Sequence, residues 1–118
     1  MRAVSDSMVK SCKADADAVV FEMQVRICKA FANPVRLKFL ELISKREYTV
    51  SELQSELDIS LPNVSQHLAI LKAAGVVSTR RNGKQTYCFL TMPEVKHACQ
   101  MLRDVLRAQV RKGRRLVA

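Results

Sequence analysis

At 118 residues, 48% hydrophobic and with a formal charge of +9, the chain has the length of one domain and an ordinary globular composition. No run of about 18 apolar residues occurs, which argues against a membrane-spanning helix, and Asp6, Asp15 and Asp17 interrupt any secretory leader, so a cytoplasmic location and no membrane partner are expected. The four cysteines, at 12, 28, 88 and 99, form no Cys-x-x-Cys and no zinc-finger cluster, which argues against structural zinc and for reduced thiols.

In chain order, residues 1–14 have no firm period and are expected to form a flexible arm. From about Asp15 to Ala32, the apolar residues Val20, Met23, Ile27 and Phe31 recur at three- and four-residue steps, the mark of an amphipathic helix. Asn33 and Pro34 end it and open the next, Asn33 as the amide-accepting cap and Pro34 at the first helical position. Leu37, Leu40 and Ile43 supply that helix's buried stripe. Thr49 and Glu52 have capping-box spacing for a short helix running to Leu57. After a turn at Asp58, Ile59 and Ser60, Ser60 caps a helix over residues 61–74, with Leu61, Val64, Leu68 and Leu71 on one side, and Gly75 terminates it. Residues 76–81 and 84–90 read as strands joined by Asn82-Gly83, a strong two-residue hairpin signal. Pro93 opens a last helix from about Glu94, with Val95, Cys99, Leu102 and Leu106 on its apolar face.

The charge excess is confined to one half of this pattern. Residues 1–58 carry nine basic and nine acidic side chains, whereas residues 59–118 carry eleven and two, and none is acidic between Ile59 and Pro93. A polyanion would be drawn to that half, because Lys and Arg displace the counterions condensed on phosphates. The helices over 50–57 and 61–74 make a helix-turn-helix, and the following hairpin makes a wing. With the leucine stripe inward, Pro62, Asn63 and Gln66 face outward and Ser65 flanks them. Asn and Gln suit adenine edges in the major groove, while Ser60, Ser65 and the helix amides suit phosphates. Arg80, Arg81 and Lys84 cluster at the hairpin tip, where backbone phosphates or the minor groove are the expected targets. Plain solvation of a basic surface and a charged strand edge are the competing structural readings.

His67, beside the inward stripe, reads as a structural hydrogen-bonding residue, and His97 has only Cys99 or Glu94 near ligand spacing. Tyr87 and Phe89 read as packing one sheet face. The sequence shows no phosphate-binding glycine loop, nucleophile elbow or acid–base carboxylate pair, so no catalytic residue, metal or cofactor is expected.

The segments KAFANPVRLKFLELI, YTVSELQSELDISLPNVSQHLAILKAAGVV and RRNGKQTYCFL together resemble the ArsR/SmtB family of bacterial winged-helix repressors, over about residues 29–90. The resemblance implies a mainly α (α+β) winged helix-turn-helix of about five helices with a two-stranded hairpin wing. It implies a homodimer paired through the first and last helices, double-stranded operator DNA as partner, and an effector that weakens DNA binding. The corresponding organisation is an arm over 1–14, a DNA-binding and dimerisation domain over 15–110, and a basic tail over 111–118.

The family's effector sites do not carry over. Where metal sensors have a Cys-x-Cys pair this chain has Thr49 and Ser51. Positions matching the zinc ligands of the last helix are Met92, Glu94, Val105 and Ala108, and those near the persulfide-sensing cysteines are Glu41 and Arg107. What remains is Cys28 on the first helix and Cys99 on the last, read either as thiol effector residues or as small buried hydrophobes. The expected function is a DNA-binding regulator, a repressor released by a metal, metalloid or thiol-reactive effector. The competing readings are an effector-free repressor and a winged helix that binds protein.

Overall fold

Asn33 separates the first two helices. Its side-chain oxygen accepts the amides of Val35 (2.9 Å) and Arg36 (3.1 Å), and Pro34 fills the first helical position, where a missing N–H costs nothing. The computed structural model describes residues 12–113, with side chains from residue 16 onward. In chain order the elements are α1 (Cys12–Phe31), α2 (Pro34–Lys45), β1 (Tyr48–Thr49), α3 (Val50–Leu57), α4 (Leu61–Ala73), β2 (Val77–Asn82), β3 (Gln85–Leu90) and α5 (Glu94–Arg111). The first helix starts at Cys12, ahead of the expected Asp15, and the rest of the expected arm lies outside the described residues.

One core is built from α2, α3, α4 and the sheet. Phe39, Leu53, Val64, Leu71, Val76 and Cys88 are fully buried there, joined by Leu40, Leu42 and Ile43 of α2. Truncation of Phe39 to alanine would cost about 3–5 kcal/mol at such a site. The sequence stripes overstate what one chain buries. Val20 and Met23 of α1 are 57% and 55% exposed, and Leu102 of α5 is 61% exposed. Leu37 and Leu61 are also exposed, although both were expected to face inward. Leu61 occupies the first position of α4, where the helix end projects beyond the core that Val64 and Leu71 reach.

The sheet has three antiparallel strands in the order β1-β3-β2, not two. The added strand is only Tyr48–Thr49, pairing Tyr48 with Cys88 and Thr49 with Tyr87. The hairpin register also differs from the expected one. Asn82 pairs with Gln85, so the loop residues are Gly83 and Lys84, and Gly83 alone takes a positive φ, +66°. A turn at Asn82-Gly83 would have set Arg81 opposite Lys84, a like-charge pair that destabilises a ladder. The observed register sets Arg81 opposite Thr86 and Arg80 opposite Tyr87. Each side chain keeps its sheet face, because the pairing partner moves by two residues and the side-chain period is two.

Candidate nucleic-acid interface

Local hydrogen bonds cap α3 at both ends and α4 at its start. In α3, the Thr49 hydroxyl accepts the Glu52 amide (3.1 Å) and the Glu52 carboxylate accepts the Thr49 amide (2.9 Å), a complete capping box. The Thr49 amide, and then Arg46 at 3.3 Å, hold the Glu52 carboxyl below its usual range. Asp58 closes α3 in the left-handed conformation (φ 53°, ψ 51°), which a short polar side chain tolerates better than most. Two residues later Ser60 caps α4, its hydroxyl accepting the Asn63 amide at 3.4 Å.

Ser60, Pro62, Asn63, Ser65 and Gln66 are all exposed and lie together on the N-terminal half of α4 and its cap. Among the described residues, the side chains of Asn63, Ser65 and Gln66 make no hydrogen bond, so their donors and acceptors face solvent. Leu61 joins this exposed group at 48% exposure, an apolar side chain suited to a thymine methyl. Its position on the inward stripe hid it from a reading of periodicity.

The wing is less free than its sequence implies. Arg80 donates from Nε to Glu47 Oε1 at 2.9 Å, approaches the same oxygen with its terminal nitrogen at 2.8 Å, and lies over the Tyr87 ring at 4.6 Å. Arg81 donates to the Thr86 hydroxyl at 3.4 Å. Lys84, in the loop, makes no ion pair or hydrogen bond among the described residues. The stretch from Ile59 to Pro93 lacks acidic residues in sequence, but in space Glu47 brings a carboxylate to it.

His67 sits on the inward flank of α4 and accepts from Arg36 through Nδ1 at 3.2 Å, the structural role its position suggested. Burial, and secondarily Arg36, lower its affinity for a proton. Cys88 is fully buried against the core, and burial pushes its thiol up to about 11. Cys28 and Cys99 line one cavity of about 520 Å³ between α1, α2 and α5. Within one chain Cys28 is exposed and Cys99 half-buried, both on helices expected to pair in a dimer. Burial pushes the Cys99 thiol up, with Arg103 opposing. Beside them Arg103 reaches Glu41 at 3.7 Å, while Arg107 pairs with Asp104 on its own helix. Among the described residues, no three His, Cys, Asp or Glu side chains gather as a metal-binding group, and no helix is long and apolar enough to cross a membrane.

Comparison with known proteins agrees with this geometry. Residues 33–79 match the family described as bacterial regulatory protein, arsR family. The biofilm growth-associated repressor of Xylella fastidiosa is 33% identical over 87 residues, 74% of this chain and 76% of that protein. The transcriptional activator HlyU of Vibrio cholerae is 38% identical over 90 residues, 76% of this chain and 78% of that protein. Among solved structures, Rv0081 of Mycobacterium tuberculosis superposes with a TM-score of 0.71 at 30% identity, covering 79% of this chain and 94% of that one. A homodimeric winged helix-turn-helix DNA-binding domain from Mycobacterium bovis gives 0.70 at 28% identity, covering 77% and 84%.

Proposed function

The chain belongs to the ArsR family of bacterial DNA-binding transcription regulators, and from that premise we propose that it acts as a homodimeric repressor with α4 as the helix that reads the operator. The observation that carries this reading is the exposed, unpartnered set Asn63, Ser65 and Gln66 on the first half of a helix whose opposite face is anchored by Val64 and Leu71. Asn63 and Gln66 present base-edge donors and acceptors, Ser60, Ser65 and the first-turn amides take phosphates, and Pro62 shapes the first turn. Lys84, with Arg81 and Arg80 behind it on the wing, takes the flanking backbone. Two copies of α4, related by a twofold axis, would enter successive major grooves about 34 Å apart, and occupancy of a promoter would block transcription.

Release is assigned to the cavity that holds Cys28 and Cys99. A soft metal or metalloid that displaces thiol protons, or a thiol-reactive reagent, would act through this pair, and each must work against the burial that favours the protonated Cys99 thiol. Occupancy there would shift α1 and α5 and thereby the spacing of the two reading helices.

Anisotropy with a labelled duplex from the protein's own upstream region tests the reading. Affinity should fall steeply with salt, and Lys84→Ala together with Arg81→Ala, which removes up to four phosphate contacts from a dimer, should flatten the slope by about four. No duplex binding at low salt would leave the protein-binding reading. A promoter reporter that falls on deletion of the protein would replace repression with activation, as the name of the Vibrio cholerae relative describes. Release by arsenite or zinc that persists in Cys28→Ser and Cys99→Ser would remove the thiol site.

A further inference from the structure

We propose that Arg36 is a positioning residue for DNA recognition, a clamp that fixes the rotation of α4 relative to the end of α1. The inference rests on α4 being the reading helix and goes beyond it by naming what aims that helix.

Arg36 lies in the first turn of α2, with its backbone amide held by the Asn33 side chain at 3.1 Å. From that anchor its guanidinium reaches two other helices at once. Nε donates to the Ala30 carbonyl at 2.6 Å, in the last turn of α1, and a terminal nitrogen donates to His67 Nδ1 at 3.2 Å, midway along α4. The carbonyls of a helix's last turn lack intrahelical partners and carry its negative dipole end, so a cation donating there is favoured. For Nδ1 to accept, the imidazole must be neutral with its proton on Nε2, the state that burial and the adjacent cation both favour. A guanidinium is planar and its donors have fixed directions, so two bonds to different helices restrict rotation as well as distance.

The lever arm is short but sufficient. His67 directly follows Gln66, and Asn63 is one turn earlier. Side-chain atoms lie about 5–6 Å from a helix axis, so a rotation of about 20° would move the Asn63 and Gln66 amides by about 2 Å. A base-edge hydrogen bond of about 2.9 Å does not survive that displacement. Phosphate contacts from Lys84 on the wing would survive it. Loss of the clamp should therefore erode sequence discrimination before it erodes general affinity.

A double-mutant cycle on the full-length chain separates aiming from folding. The probes are a duplex selected by the wild-type protein from a random library and a scrambled duplex of the same length. Arg36→Ala and His67→Ala should each weaken binding to the selected duplex about tenfold, leave the scrambled duplex within about twofold, and together do no more than the worse of the two. His67→Asn, which keeps an acceptor near the Nδ1 position, should restore most of the discrimination. Arg36→Lys keeps the charge but cannot bridge both acceptors, and should behave like the alanine variant. Should Arg36→Ala fail to fold, the cycle is run with Arg36→Lys. Additive losses, or equal losses on both duplexes tracking a fall in melting temperature, would overturn the clamp and show a purely structural pair. Retention of discrimination by all variants would also overturn it, leaving the reading helix itself untouched. If alanine at Asn63 and Gln66 leaves discrimination intact, the assignment of α4 fails instead.

Discussion

Glu47 and Arg80 are 33 residues apart, yet their ion pair decides how much of the wing's charge faces a duplex. Both side chains are nearly half exposed, so the pair adds little to stability, about 0–1 kcal/mol. With the wing against the duplex as proposed, its effect would fall on DNA binding, because a carboxylate beside phosphates repels them and holds a guanidinium that would otherwise neutralise one. Glu47→Gln is expected to tighten duplex binding about three- to tenfold and, with one Arg80 freed on each chain of a dimer, to steepen the salt dependence by about two units of slope, read by anisotropy across a salt series. Weaker binding in that variant would mean that Glu47 aims Arg80 at the backbone instead of withholding it. The outward face of α4 was legible except at Leu61, because a helix of period 3.6 fixes which side chains oppose a leucine stripe but not where the helix end outruns the core. The engagement of Arg80 was not, since it depends on where the chain between α2 and α3 comes to rest beside the sheet.

The same division between local and non-local causes holds for whole elements. Asn33, Thr49, Ser60 and Gly75 marked helix ends correctly because a cap satisfies amides or carbonyls within its own turn. Strand β1 was not legible, because two residues have no detectable alternation and gain their state only by pairing with β3. The hairpin loop was misplaced for a related reason: Asn82-Gly83 is a strong local signal, but cross-strand partners outweigh it. The two registers differ in a measurable way. At Gly83 an added methyl meets open space, so Gly83→Ala costs only the positive φ, about 1–2 kcal/mol. Asn82 is an ordinary strand residue, and Asn82→Ala should cost about 0.5 kcal/mol or less. Urea denaturation should separate the two variants by about 1 kcal/mol; equal losses would instead indicate positive φ at both positions, as a turn at Asn82-Gly83 requires.

At the scale of the molecule, the radius of gyration is 17.3 Å, whereas a compact chain of this size has one near 13 Å. The excess comes with α1 and α5, whose apolar residues Val20, Phe21, Met23, Met101, Leu102 and Val105 are more than half exposed. Full burial of one such side chain stabilises by about 1.5–3 kcal/mol, and these are already partly covered, so six on each of two chains supply about 10–20 kcal/mol when a partner covers them, enough to meet an association cost of about 4–15 kcal/mol. That balance favours a second copy over solvent as the neighbour of these helices. Met23→Glu and Leu102→Glu should each place two like charges close to the dyad and shift the chain from dimer to monomer in sedimentation at micromolar concentration. Secondary structure should persist, because neither side chain belongs to the core around Phe39 and Leu53. Operator affinity should then fall more steeply than phosphate contacts alone predict, since each half-site is held by an independent subunit without the other's effective concentration. Two variants that stay dimeric would move the interface off α1 and α5, and would also separate the cavity of Cys28 and Cys99 from any control over the spacing of the reading helices.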